Sequence, residues 1–189
     1  MVALHHHIPS QFPPPSGPAP RGRRAPGPAA RPLAVRDLGP ADEGLVERLH
    51  ASLSPRSQYQ RFHGAKPRLS ARERRFLASA DGRNHVALVA LDAGAPIAIA
   101  RFVRLHDHPQ TADIAAEVVD ERQRQGIGSD LIARLARRAA ALGVHRFTAT
   151  VLSETGLRRS LARRGWRVAS ADGPTTTLEV DVWTLLATA

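Results

Sequence analysis

The run Gln123-Arg124-Gln125-Gly126-Ile127-Gly128-Ser129 sets side-chain amides, a guanidinium and two glycines just ahead of a helical pattern. That chemistry suits a phosphate. The first N–H groups of a helix have no helical partner, the helix dipole favours an anion there, and glycine lets a ligand approach the backbone closely. The competing reading is a tight strand-to-helix connection with no ligand. A few residues upstream, Glu117 lies in the apolar run Ile114 to Val119. In a strand, Asp113, Ala115, Glu117 and Val119 share one face, while Ile114, Ala116 and Val118 share the other. A carboxylate among Ala and Val is costly unless it has a use or a partner. It is therefore either a general base or one half of a buried ion pair with an arginine.

Other nucleotide motifs are excluded. Gly126-Ile127-Gly128 lacks the third glycine of a dinucleotide fingerprint, and no P-loop run exists. There is no Gly-x-Ser-x-Gly elbow. The chain has no cysteine, so disulfides, thiolate metal sites and a cysteine nucleophile are ruled out. His106-x-His108 reads as a solvated loop pair and not as a metal site. His5-His6-His7 has no fixed ligand geometry. Asp42 and Glu43 stabilise a helix dipole, and Arg134, Arg137 and Arg138 form a solvated helix face.

These residues need elements to hold them. From Pro32 the chain alternates strands and helices. Leu33 and Val35 start a strand. Pro40 opens a helix with Leu45, Leu49 and Leu53 on one face. Ser54-Pro55 starts a short helix to Phe62, and Ser70-Ala71-Arg72-Glu73 is a capping box for a helix to about Leu77. His85 to Asp92 and Ile97 to Leu105 read as a hairpin over Ala93-Gly94-Ala95-Pro96. Asp113 to Val119 is the next strand. A helix then carries Ile127, Leu131, Leu135, Ala139 and Leu142 inward and ends at Gly143. Phe147 to Leu152 is a strand, Leu157 to Arg164 a short helix, and Trp166 to Ala169 with Thr175 to Leu185 a closing strand pair. The pattern predicts an α+β, three-layer fold with a mixed, mainly antiparallel sheet.

Composition bounds the rest. The 189 residues suit one domain plus an extension. Residues 1–31 are rich in Pro and Arg and read as a disordered tail; 32–189 form the domain. The net charge of +10 is almost all arginine, with Lys66 the only lysine. The arginines are scattered through Ala- and Gly-rich sequence without an aromatic platform, so nucleic acid is not the expected partner. No apolar run approaches the length of a membrane span, and the N-terminus lacks a signal-peptide core. A cytoplasmic chain is the expectation.

The Gln-x-x-Gly-x-Gly pattern after a strand and opening a helix resembles the acetyl-coenzyme-A motif of the GNAT N-acetyltransferases. The strand before it, the strand from Phe147 and the pair Gly165-Trp166 continue the resemblance. Ser54-Pro55-Arg56-Ser57-Gln58-Tyr59-Gln60-Arg61-Phe62 is similar to a segment of GNAT domains akin to bacterial protein-lysine acetyltransferases. The resemblance spans most of residues 32–185. It implies a GNAT-like sheet flanked by helices and acetyl-coenzyme A as co-substrate. The pyrophosphate would rest on residues 123–129: Gln123, Arg124, Gln125, Gly126, Ile127, Gly128 and Ser129. Val118 and Val119 would offer backbone groups to the pantetheine arm. Glu117 would be the base, and the acetyl group would pass directly to a primary amine in a ternary complex. The upstream segment tilts the acceptor toward a protein lysine. Three departures stand out. The family's Gly-Arg order is Arg124-Gln125 here. Thr155 stands where many members place an asparagine, beside the coenzyme. Leu161 stands where many place a tyrosine that protonates the departing thiolate. These leave a second reading open, a catalytically silent GNAT-like module that binds acyl-coenzyme A and regulates a partner.

Overall fold

A computed structural model describes residues 33–153 and 156–187. The expected tail and Thr155 lie outside the described residues. Seven strands form one sheet: β1 (Ala34–Asp37), β2 (His85–Asp92), β3 (Ala95–Arg104), β4 (Thr111–Val118), β5 (Arg146–Leu152), β6 (Arg167–Asp172) and β7 (Thr175–Asp181). Their order is β1-β2-β3-β4-β5-β7-β6, and every pairing is antiparallel except β4 with β5. The expected mixed, mainly antiparallel sheet is present.

β2 and β3 are central, so both of their faces are covered and their apolar runs are nearly continuous. Val86, Leu88 and Ala90 face one layer, where they meet Leu131, Leu135 and Ala139 of helix α4 (Ile127–Ala141). Ala87, Val89 and Ile99 face the other, against helices α1 (Glu43–Ala51) and α3 (Ala71–Ala78). Leu45 and Leu49 of the predicted spacing are buried there, and Leu53 is buried just past the helix end. Truncating a fully buried leucine such as Leu135 to alanine would cost about 2–5 kcal/mol.

Local chemistry sets the helix starts. The Ser54 hydroxyl accepts the Ser57 N–H at 3.2 Å, and Pro55 is the first residue of α2 (Pro55–Phe62). The Ser70–Glu73 capping box opens α3 as expected. Gly143 leaves α4 in the left-handed region, with φ 76°.

Two expectations are corrected. The β2–β3 turn is two residues long: Ala93 and Gly94 both take positive φ, and Ala95 and Pro96 already belong to β3. The last strand does not reach Leu185. β7 stops at Asp181, whose carboxylate accepts the Trp183 N–H at 2.8 Å and caps a short helix, α6 (Val182–Ala187). A side-chain acceptor at that point satisfies a first-turn donor that a strand would have given to its neighbour.

Candidate active site

The β4–β5 pair is short. Thr111, Ala112 and Asp113 align with Arg146, Phe147 and Thr148, and beyond Asp113 the strands have no paired residues. They part where β4 approaches the glycine loop. Val119 donates its N–H to the Ile97 carbonyl at 2.9 Å and accepts from the Arg122 N–H at 2.9 Å. Both of its backbone groups are used inside the chain, which corrects the expectation that Val119 offers them to a ligand. The antiparallel alternation instead turns Ala116 and Val118 toward the open edge. The Val118 carbonyl there accepts from the Gln123 amide at 3.1 Å.

The loop itself leaves donors free. Gly126, at φ 84°, precedes α4 and supplies no side-chain cap. The first helical bond runs from the Asp130 N–H to the Gly126 carbonyl. Among the described residues, the N–H groups of Ile127, Gly128 and Ser129 have no acceptor. These uncapped donors at the positive end of a helix dipole fit an anion. Gly126 is required by its backbone angle. Gly128 is not: an added Cβ would only reach ordinary contact, 3.5 Å from Val118 Cγ2. Arg124 occupies the left-handed region at φ 61°, so the shift of arginine by one place puts a side chain where glycine is at ease. Gln125 folds back to the Glu121 carbonyl at 3.0 Å. One neighbour was not foreseen. Arg164, in the turn before β6, donates to the Ser129 hydroxyl and brings a second guanidinium to the helix start.

On the other face of β4 lies a cleft of about 420 Å³, walled by Phe62, Phe76, Leu77 and Val103 and holding Arg61, Arg101 and Asp113. Glu117 is 8% exposed. Its carboxylate lies 3.5 Å from the Arg101 guanidinium and 3.7 Å from Nε of Arg61. Arg101, 3% exposed, also donates to the Leu77 carbonyl. Burial pushes its guanidinium down to about 10, against the pull of Glu117, so it remains charged at neutral pH. The buried ion pair, one of the two readings open for Glu117, is thus formed, and with two arginines.

Asp113 is arranged differently. It shares the Glu117 face of β4, lines the cleft and sits at the point where β4 and β5 separate. Among the described residues it makes no ion pair, and it accepts a hydrogen bond from the Thr148 hydroxyl at 3.4 Å. Asp113 is solvent-exposed as a residue, but desolvation of its carboxyl by the packing around it raises it above its ordinary value, opposed by the Thr148 hydrogen bond and by the charges of Arg61 and His63. A carboxylate without a salt bridge, its proton affinity raised, at the edge of a cleft has the profile of a proton acceptor. The signal was present in the sequence as the shared face, but the choice between the two carboxylates was not.

Other expected residues lie elsewhere. Leu161, in α5 (Leu157–Ala162), is buried in the α4-side core with Trp166. Tyr59 is 49% exposed on α2. His106 and His108 are exposed in the β3–β4 loop. Arg134 pairs with Asp130 and Arg138 with Asp37.

Comparison with known proteins agrees with this geometry. A model of the acetyltransferase (GNAT) family matches residues 47–166. Acetyltransferase Pat of Mycolicibacterium smegmatis is 33% identical over 156 residues, covering 80% of this chain and 45% of that protein. The chain thus spans about half the length of that curated relative. The crystal structure of the GNAT domain of S. lividans PAT superposes with a TM-score of 0.74 at 27% identity, covering 79% of this chain and 90% of that one. A cAMP-binding acyltransferase from Mycobacterium smegmatis gives a TM-score of 0.54 at 30% identity over 79% of this chain and 43% of that one. The family match begins inside α1 and ends at Trp166, so it takes in the cleft, the parting strands and the glycine loop, and the chain belongs to the acetyltransferase (GNAT) family.

Proposed function

We propose that residues 32–189 form an N-acetyltransferase domain that uses acetyl-coenzyme A and a primary amine, with a protein lysine as acceptor. The observation that carries this is one juxtaposition. An uncapped helix start and an open strand edge lie on one side of β4, and a cleft with a carboxylate free of ion pairs lies on the other. The 33% identity to acetyltransferase Pat supports the lysine acceptor. We place the chain in the cytoplasm; no helix among the described residues is long and apolar enough to cross a membrane.

The coenzyme supplies an acetyl thioester. Its phosphates are held by the N–H groups of Ile127, Gly128 and Ser129, with the Arg124 and Arg164 guanidiniums alongside and Gln123 and Gln125 bordering the loop. The Ala116 and Val118 backbone groups pair with the pantetheine arm as an added strand. Thr155 is assigned to the same coenzyme site from its place after the fifth strand. Asp113 accepts the proton that the acceptor ammonium must lose before its nitrogen can attack. Glu117 holds Arg61 and Arg101 in the cleft wall. The reading in which Glu117 is itself the base keeps one support, its place on the same strand face.

The test is direct. Acetyl-coenzyme A should raise Tm through binding linkage, and a lysine-bearing peptide should then release free coenzyme A. Asp113→Asn should lower kcat by about 10²–10⁴-fold, the usual worth of a positioned base, with coenzyme Kd unchanged. Coenzyme binding without thiol release for any amine would favour the silent regulatory module. No shift with the coenzyme would refute both readings.

A further inference from the structure

The segment Ser54–Phe62 was conspicuous in the sequence but has no part in the chemistry above. Its polar side chains converge on β4 and the loop after it. Ser54 donates its N–H and its hydroxyl to the Asp120 carboxylate, at 2.9 and 2.8 Å. The Ser57 hydroxyl donates to the same carboxylate at 2.8 Å and accepts from the Gln123 amide at 3.2 Å. One turn further, at the i+4 position on the same helix face, Arg61 lies beside Glu117, and Phe62 lines the cleft. Asp120 follows directly after β4 and Gln123 opens the glycine loop, so α2 is fastened to the loop at one end and to the cleft at the other.

The Nε of Arg61 is buried and has no hydrogen-bond partner, and Glu117 Oε2 lies 3.7 Å from it. Its contact with the Glu117 carboxylate is therefore loose and depends on where α2 lies. α2 is eight residues long and buries no residue fully: at its C-terminal end Phe62 packs partly on the core and against His50, and Gln58 reaches the His50 carbonyl at 3.0 Å, while its N-terminal turn has no apolar anchor of this kind. There the hydrogen bonds of Ser54, Ser57, Asp120 and Gln123 fasten the helix to the loop after β4.

We propose that Ser57 and Asp120 are positioning residues which tie α2, and with it Arg61, to the coenzyme loop, so that filling the loop orders the acceptor side of the cleft. This rests on the coenzyme reading above. Gln123 is the link: its amide bridges the Ser57 hydroxyl and the Val118 carbonyl on the open edge. A ligand that immobilises Gln123 immobilises the Ser57 hydroxyl and hence the helix. By linkage, acceptor binding strengthens coenzyme binding by the same factor, in the 5–150-fold range usual for coupled sites.

Hydrogen exchange tests this without a known acceptor, with coenzyme A as the probe. In the unmodified protein, coenzyme A should slow exchange of the loop and α4-start amides, residues 126–130, and of the α2 amides, residues 59–62, the latter by about tenfold. In Ser57→Ala and, separately, Asp120→Asn, the loop protection should persist while the α2 protection is lost. Ser57→Ala keeps both Ser54–Asp120 bonds, so the fold has a second safeguard. Equal α2 protection in the variants would overturn the proposal, as would a protected loop with unprotected α2 in the unmodified protein. No protection anywhere in the unmodified protein would instead refute the coenzyme reading itself.

Discussion

Glu117→Gln separates structural from chemical roles in the cleft. The substitution keeps shape and removes one charge. Arg101 stays buried and, at neutral pH, charged, with the Leu77 carbonyl as its remaining full partner. Removing one partner of a buried pair typically costs about 3–5 kcal/mol, because the other charge is left uncompensated. Arg61 adds little: it is part-exposed, and at 3.7 Å its Nε is beyond hydrogen-bond distance from Glu117. In a domain of this size each kcal/mol shifts Tm by roughly 2–4 °C. The expected loss is therefore about 6–20 °C by calorimetry at pH 7. Adding Arg101→Met should restore most of it, since the orphaned cation is then gone, and the double-mutant cycle should show coupling above about 2 kcal/mol. Turnover measured well below each Tm completes the test. If Glu117 is structural, the double variant regains both stability and thiol release. If it regains stability alone, Glu117 and not Asp113 takes the proton. A Glu117→Gln Tm within about 2 °C of the parent would refute the buried-pair reasoning altogether.

Other perturbations follow from named strains and shifts. Arg124→Gly should stabilise the fold: a non-glycine residue in the left-handed region costs about 1–2 kcal/mol, and the added freedom of the unfolded chain returns only about 0.4–1 kcal/mol of that. Titration of the same variant with acetyl-coenzyme A should show weaker binding, and a fall in Tm would contradict the strain. Asp113→Asn should raise Tm at neutral pH. The folded carboxyl is raised above its usual value, so ionisation opposes folding: the penalty is full above the raised folded value and fades as pH falls from it to the usual one, and because Asp113 is solvent-exposed the gain is small. A gain in Tm that persists at low pH would break this account. His85 is held below its usual 6.5 by burial first and then by Arg101. Its contribution is present above 6.5 and lost as pH falls through the lower folded value, so Tm should drop over that window and drop less in His85→Gln.

Much of the frame could be read from residue spacing. Leu45, Leu49 and Leu53 recur every four residues, and Ser54-Pro55 and Ser70–Glu73 mark helix starts, because each rule is satisfied within a few residues. The errors fall where two local readings compete. Val180 to Leu185 mixes apolar residues with Asp181 and Thr184 and suits a strand or a helix, and one long-range neighbour decided it: β7 pairs with β5 from Thr175 to Asp181 and no further. Ala93 at φ 49° is an uncommon turn residue, so the composition pointed to a longer loop.

The site shows a deeper limit. Alternation correctly placed Asp113, Ala115 and Glu117 on one face, but a carboxylate's role depends on which cations reach it. That was settled by register: Arg101 pairs with Ala115, between the two acids, and its guanidinium leans to Glu117 and the Leu77 carbonyl. Arg61 arrives at Glu117 from a helix 56 residues earlier in the chain, held there by Asp120. Neither contact leaves a trace in local sequence. The same holds for the open edge, which exists because β4 and β5 share only three residue pairs. A short motif can therefore locate a phosphate cradle, whose donors are backbone groups fixed by local conformation. It cannot choose a base, whose fitness is the charge left over after distant side chains have made their pairs. Among the described residues Asp113 is the acid on this face that the arginines leave without an ion pair, and the proposal that it takes the proton rests on that.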